Sequence, residues 1–346
     1  MTPPSRTLSR RTALAGAAGV ATSALVASRL PASAASTPVA SPATGGEWSY
    51  TDVLGNTITL PSAPTSMAIE IGVAAALWDF GVRMPTVFGW TASNYPDGDH
   101  IAWGRIPADD VTIVSNTEGN VELEQLAAQQ PDLIVTWIWD KTAPETSMSG
   151  IPAEVAAQAE QIAPIVVLRQ GDANAVELGH MEDFAASLGI DLDGDDLAAA
   201  RTAYEDKIAE VESVAAGQRD ITVLFGSFGE ADAIYIASPD FVADLGQVRD
   251  LGITLANDGS PDATTYWETL SPEQALKYPS DVIYIDQYGA AKTLDDLRTL
   301  PTVAQHPAVA AGQVGPWKRD LPISYQGLTE FLETVLVPLR TATKVS

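Results

Sequence analysis

The chain contains no cysteine. Disulfides, thiolate metal sites, cysteine nucleophiles and the thiol on which a lipoprotein anchor is built are therefore excluded. Histidine is nearly absent: His100, His180 and His306 stand far apart and none falls in an HExxH or comparable spacing, so a zinc site has no support. Positive charge is scarce as well. Lysine and arginine total 19 against 45 aspartates and glutamates, a formal charge of −26. A surface of that sign repels phosphate backbones, which argues against nucleic acid as a partner and favours solubility.

Part of the scarce positive charge is concentrated at the front. Arg6, Arg10, Arg11 and Arg29 fall in a stretch with no acidic residue. That basic start, an uncharged run from Thr12 to Ser28 and the small-x-small triplet Ala32-Ser33-Ala34 predict a signal peptide over residues 1–34. Arg10-Arg11 resembles the twin-arginine class of export signal, from which Ala13 and Ala15 depart. The competing reading is a membrane anchor, but a span needs roughly 20 apolar residues and this run is shorter. Residues 35–48, rich in Ser, Thr, Pro, Ala and Gly, read as a disordered linker. The expectation is an exported, extracytoplasmic protein, in the periplasm or at the cell-envelope surface, without a lipobox cysteine.

The remaining length suits two lobes of roughly 100 to 200 residues each. Short apolar runs alternate with helical patterns, the signature of an α/β protein with mostly parallel sheets. Strands are expected over 57–60, 66–71, 86–89, 111–114, 132–137 and 165–168, with helices over 72–80, 121–129 and 151–162. Asp172 stands where it would cap a helix over 173–188, which Gly189 would end. A long helix over 195–216 follows, and a new strand pattern starts at Ile221. The second series has strands over 221–225, 233–236 and 281–285 and helices over 241–251, 272–277 and 324–341.

One stretch occurs twice. "LEQLAAQQPDLIV" (Leu123 to Val135) lies on "PEQALKYPSDVIY" (Pro272 to Tyr284) without a gap, 149 residues apart. Glu124-Gln125 falls on Glu273-Gln274, and Asp132 on Asp281. A single echo at that distance means paired domains, not a solenoid. The fold expected is α/β: two similar Rossmann-like lobes, 49–171 and 191–346, joined by one long helix within 172–190, with a ligand cleft between the lobes.

These elements resemble the solute-binding proteins of ABC importers for ferric siderophores and cobalamin. The resemblance is carried by "NVELEQLAAQQPDLIV" (Asn120 to Val135), "LSPEQALKYPSDVIYI" (Leu270 to Ile285), "HPAVAAGQVGPW" (His306 to Trp317) and "TDVLGNTITLP" (Thr51 to Pro61). It runs from about Tyr50 to the C-terminus. No single element is specific; their order and spacing are. The resemblance implies an extracytoplasmic, non-catalytic, monomeric binding protein that delivers a ferric siderophore chelate to an ABC permease dimer, with no cofactor of its own. It further implies that a glutamate on each lobe, here Glu124 and Glu273, docks into an arginine pocket of the permease. A cobalamin- or haem-binding protein of the same fold and a secreted α/β hydrolase stay open. The hydrolase would need a nucleophile with a positioned base, and no such set is visible.

Ligands of such folds bind at strand C-terminal ends between lobes. The candidates are Trp90, Tyr95, Trp103, Trp137 and Trp139 in the first lobe, with Lys141 beside them, and Trp267, Tyr288, Trp317, Arg319 and Tyr325 in the second, with Lys318. Aromatic side chains give flat amphipathic area suited to a bulky chelate, and Arg319 or Lys318 would complement an anionic one. No protein-derived metal site is expected. "DLDGDD" (Asp191 to Asp196) lacks the closing Glu of a calcium loop, since Thr202 stands there. "GSFG" (Gly226 to Gly229) is not a GxSxG elbow, and Asp109-Asp110 reads as an exposed turn.

Overall fold

The computed structural model describes residues 46–139, 143–170, 172–228, 233–289 and 292–346. The expected signal peptide, most of the linker, Lys141 and Gly229 lie outside the described residues. The described part opens on an antiparallel hairpin of β1 (Trp48–Thr51) and β2 (Thr57–Leu60). The linker expected over 35–48 is one residue too long: Trp48 is a buried strand residue whose indole N–H donates to the Ser187 carbonyl at 2.9 Å.

The first sheet comprises β3 (Met67–Glu70), β4 (Thr86–Phe88), β5 (Thr112–Ile113), β6 (Leu133–Ile138) and β7 (Ile165–Arg169). Its order is β5-β4-β3-β6-β7 and every pair is parallel. All of β3 and nearly all of β6 is buried, as expected of strands covered on both faces. The helices of this lobe are α1 (Ile71–Asp79), α2 (Trp90–Asn94), α3 (Leu123–Gln129) and α4 (Ala153–Ala159).

α5 (Asn174–Ser187) joins the lobes. It packs on β1 and α1 of the first lobe and on α7 (Ala243–Asp250) of the second. Its N-terminal Asn174 donates to Asp244 Oδ1 and Gln247 Oε1, both at 3.0 Å. Gly189 ends it as expected, in a left-handed conformation at φ 86°. Asp172 does not cap it: the cap position falls one residue later, on Ala173, which makes no side-chain bond.

After α6 (Asp195–Gly217), the second sheet comprises β8 (Thr222–Ser227), β9 (Ile234–Ala237), β10 (Thr254–Leu255), β11 (Trp267–Leu270), β12 (Val282–Asp286) and β13 (Val314–Trp317). Its path is β11-β9-β8-β12-β13, with β10 also on β8. β9 runs antiparallel to both its neighbours, so this sheet is mixed. α8 (Leu294–Arg298), α9 (Pro307–Ala311) and α10 (Tyr325–Thr341) complete the lobe, and α10 packs along α6. The helix expected over 272–277 is a single 3-10 turn, Pro272–Gln274. A Ser271–Gln274 capping box opens it, but Pro279 disfavours helical backbone at Tyr278 and leaves no room to extend.

The duplicated aspartates do the same work in both lobes. Asp132, at the foot of β6, accepts from Thr65 N–H at 2.7 Å and the Thr65 hydroxyl at 3.0 Å, fastening the chain that enters β3. Asp281, at the foot of β12, accepts from Thr222 N–H at 2.8 Å and the Thr222 hydroxyl at 3.1 Å, at the start of β8. Each aspartate N–H returns a bond to the neighbouring segment, Asp132 to the Ser66 carbonyl at 2.7 Å and Asp281 to the Thr222 carbonyl at 2.9 Å. The echo is thus a register clasp between two central strands. Asp281 is the more enclosed of the two and also receives the N–H groups of Val345 and Ser346, at 2.7 and 2.8 Å, and the Lys344 ammonium at 3.0 Å. Burial pushes its pKa up, but these donors overcome that and hold it well below the usual carboxylate range.

Candidate functional site

The C-terminal ends of both sheets converge on a cavity of about 280 Å³. From the first lobe it receives Glu70 at the end of β3, Trp90 and Thr91 after β4, Trp137 and Trp139 at the end of β6, Ser149, and Gln170 after β7. The second lobe supplies Tyr266 and Trp267 at β11, Tyr288 after β12, and Arg319 and Asp320 after β13. A small recess sharing Trp139, Gln170, Tyr266 and Asp320 continues it toward Asn174 and Asp244. The larger depression near Trp78, Arg105 and Asp195 lies on the flank, away from the strand ends.

Four tryptophans and two tyrosines make the walls. Trp90 and Trp139 are 44% and 49% exposed, a costly state for indoles with no further role. Trp90 stacks on Tyr288 at 6.0 Å between ring centres, and Trp139 meets Tyr266 edge-on at 5.9 Å. The lobes also touch here through polar groups: the Thr91 and Tyr288 hydroxyls lie 2.9 Å apart, and His100 Nε2 is 2.7 Å from the Tyr288 carbonyl.

Charge in the cavity is arranged around one carboxylate from the first lobe and an ion-paired group from the second. Glu70 is buried; its Oε2 caps α1, accepting from Gly72 N–H at 2.8 Å, and its Oε1 lies 3.3 Å from the Ser149 hydroxyl. Burial pushes its pKa up to about 7, against the pull of those donors, and Asp320 adds to the rise. Gly89, at φ 120°, gives this carboxylate its space, because a Cβ there would stand 2.8 Å from Oε1. Arg319 donates through Nε to Asp286 Oδ1 at 3.1 Å and through a terminal nitrogen to Asp320 Oδ2 at 2.6 Å. Its guanidinium also lies 3.9 Å from the centre of the Tyr288 ring. Burial raises the pKa of Asp320, Arg319 lowers it and Asp286 raises it, with a net upward shift.

Six of the ten expected ligand contacts, Trp90, Trp137, Trp139, Trp267, Tyr288 and Arg319, lie on this cavity. Tyr95 is beside it, edge-on to Trp90 at 5.9 Å. Three expectations are corrected. Trp103 is enclosed in the first lobe's core. Trp317 is fully buried, its indole N–H donating to Asp244 Oδ2 at 2.8 Å. Tyr325 is buried at the start of α10, where its hydroxyl receives Arg201 Nε at 2.8 Å and donates to Glu182. Each follows or ends a strand or turn as a cleft residue would, but its ring points inward. Lys318 faces away, paired with Glu330 at 2.7 Å. Glu70, Thr91, Ser149, Gln170, Tyr266 and Asp320 were not expected. Glu70 carried a signal: it is an acid ending a wholly buried strand.

The repeated glutamates Glu124 and Glu273 are both exposed. Each begins the segment that returns from the cavity end of its lobe to the foot of the next strand, Glu124 in the first turn of α3 and Glu273 in the turn after β11. The Ser271 hydroxyl lowers the Glu273 pKa. Asp109 and Asp110 are exposed on a 3-10 turn, and Asp195 and Asp196 open α6 behind Gly194, as expected.

A family model described as periplasmic binding protein matches residues 72–321, most of the chain. The chain belongs to that family. Its fold is accordingly that of a two-lobed binding protein, whose family is extracytoplasmic and delivers ligand to ABC permeases. Among the described residues of this periplasmic binding protein, no helix is long and apolar enough to cross a membrane. A similar solved structure is DesE, a ferric-siderophore receptor protein from Streptomyces coelicolor. It is 30% identical, with a TM-score of 0.76 over 86% of this chain and 100% of that one. The petrobactin-binding protein YclQ from Bacillus subtilis is 18% identical, with a TM-score of 0.62 over 85% of this chain and 99% of that one. FhuD from Vibrio cholerae, solved with Fe3+–Desferal, is 16% identical, with a TM-score of 0.57 over 81% and 99% of the two chains. The latter two show likeness of fold. No curated protein matches this periplasmic binding protein in sequence.

Proposed function

We propose that this chain is an exported, non-catalytic protein that captures a ferric siderophore between its lobes and passes it to an ABC permease dimer for iron uptake. The observation that carries the reading is the cavity wall: four tryptophans and two tyrosines gathered between the sheets, Trp90, Trp137, Trp139 and Tyr288 at strand C-terminal ends and Tyr266 and Trp267 at the start of β11, with two of the tryptophans about half exposed. Such a wall offers flat amphipathic surface to an organic framework, and a chelate arrives with its iron already wrapped in oxygen ligands. The likeness to a ferric-siderophore receptor at 30% identity supports the same ligand class. Glu124 and Glu273 are the residues by which the two lobes would engage a two-fold permease. In support, both are exposed and occupy corresponding places in the two lobes.

Tryptophan fluorescence tests the ligand class directly, because the indoles themselves line the site. Ferric siderophores are expected to quench it with saturation at sub-micromolar concentration. No response to them, together with a clear response to cobalamin or haem, would overturn the reading.

A further inference from the structure

The charge that the described residues bring to the cleft is not that of a site for an anionic chelate. Among the described residues on the cavity, Arg319 is the single cation, against Glu70 and Asp320. Arg319 is moreover spoken for: Asp320 holds one of its terminal nitrogens, Asp286 its Nε, and the Tyr288 ring covers its face. Asp286 is held in turn by Tyr288 N–H at 2.9 Å, so the pair is part of the built scaffold. Asp244 adds a further carboxylate on the adjoining recess. Among the described residues Glu70 makes no ion pair; its bonds there are to backbone N–H groups and to the Ser149 hydroxyl. A buried acid with no cationic partner among the described residues, in a cavity that opens to ligand, is a place where positive charge on the ligand is favoured.

Iron chelates differ in the charge they bring. Each hydroxamate carries one negative charge, so three of them cancel the ferric ion, and a free amine on the same molecule makes the complex a cation. Each catecholate carries two, so the tris-catecholate complex keeps three negative charges. We propose that this cleft selects ferric chelates by net charge, holding neutral and singly cationic tris-hydroxamate complexes, whose ammonium group reaches Glu70 and Asp320, and excluding tris-catecholates. The inference rests on the siderophore reading and narrows it to a ligand class. In a partly enclosed site such charge contacts are weakly screened, and ~10- to 100-fold separations per unit of charge are expected.

The test is a set of tryptophan-fluorescence titrations at about pH 8, above the Glu70 pKa of about 7, with three probes: a linear ferric trihydroxamate bearing one free amine, the same chelate N-acetylated, and a ferric tris-catecholate. The expected order is amine form tightest, acetylated form ~10-fold weaker, and tris-catecholate at least ~1,000-fold weaker. Glu70→Gln and Asp320→Asn should each shrink the ratio between the first two probes. Gln keeps an oxygen to cap α1, and Asn tolerates the left-handed backbone of residue 320, at φ 61°. Equal affinity for the amine and acetylated forms, tight binding of the tris-catecholate, or an unchanged ratio in both variants would overturn the charge selection while leaving the siderophore reading intact. Silence toward all three probes would remove the siderophore reading itself.

Discussion

The two lobes share a scaffold motif and differ in almost everything that touches the cleft. In the first, five parallel strands end in a row and deliver Glu70 and three tryptophans; in the second, the reversed β9 interrupts the parallel run, and the cavity residues are an ion-paired arginine and two tyrosines backed by Trp267. What the repeat preserves is the aspartate clasp at the foot of β6 and of β12. What it has let diverge is the helix that follows the repeated glutamate, a regular α3 in one lobe and a single 3-10 turn in the other. Strand register is a global constraint, since a slip of one residue turns every side chain to the wrong face. Pocket chemistry is local and free to differ.

The largest test of this contrast compares the clasps. Asp281→Ala strands four backbone and hydroxyl donors and Lys344, and is expected to cost about 3 kcal/mol or more in urea unfolding; Asp132→Ala, at a half-buried site with fewer donors, about 1 to 2 kcal/mol. Because the folded pKa of Asp281 lies below its ordinary value of 3.8, its contribution is complete at neutral pH and is lost as pH falls below about 4. Equal losses in the two variants would mean that the clasps are energetically alike.

Next in size is Glu70. Its folded pKa of about 7 lies above the ordinary 4.5, so the group favours the folded state fully below about pH 4.5, and this is lost as pH rises through 7. Wild-type protein is expected to lose on the order of 2 to 3 kcal/mol from this group between those limits, and Glu70→Gln should flatten that part of the profile in thermal melts. A profile with the same slope in both proteins would place the titration elsewhere. The aromatic walls should part in the same direction as the lobes. Trp90→Ala removes an exposed wall and should weaken chelate binding ~10-fold with little change in stability. Trp267→Ala also removes the contact with Trp317 at 5.8 Å and should lower stability as well as affinity. The smallest effect on the isolated protein belongs to Glu124→Ala and Glu273→Ala: unchanged chelate affinity, with uptake reduced in cells. Normal uptake with both variants would leave the pair without a docking role.

Much of this architecture was legible in the residues because strands buried on both faces, such as "DLIVTW" and "DVIYI", are continuous apolar runs with turn residues on either side. Strand direction was not. β9 has the composition of any buried strand, and only its pairing with β8 and β11 makes it antiparallel; β11, "WETL", has no apolar run and was not expected as a strand. The cleft was half legible for a related reason. Lying near a strand end puts an aromatic residue at the right height but does not say which way its ring turns, so Trp137 and Trp317 looked equivalent until one was seen at the cavity and the other on Asp244. Arg319 was expected as a charge for an anionic ligand, and its two carboxylate partners, 33 residues away and adjacent in sequence, reverse that expectation.

The Thr91–Tyr288 hydroxyl contact, with His100 on the Tyr288 carbonyl, has a meaning in time. These are bonds between lobes, and each must break before the two halves separate at this edge. Every ~1.4 kcal/mol that they contribute lengthens the closed lifetime about tenfold. On the proposed reading, with the chelate held between the lobes, the turn that carries Tyr288 would bear on how long it stays as well as on how tightly the walls grip it.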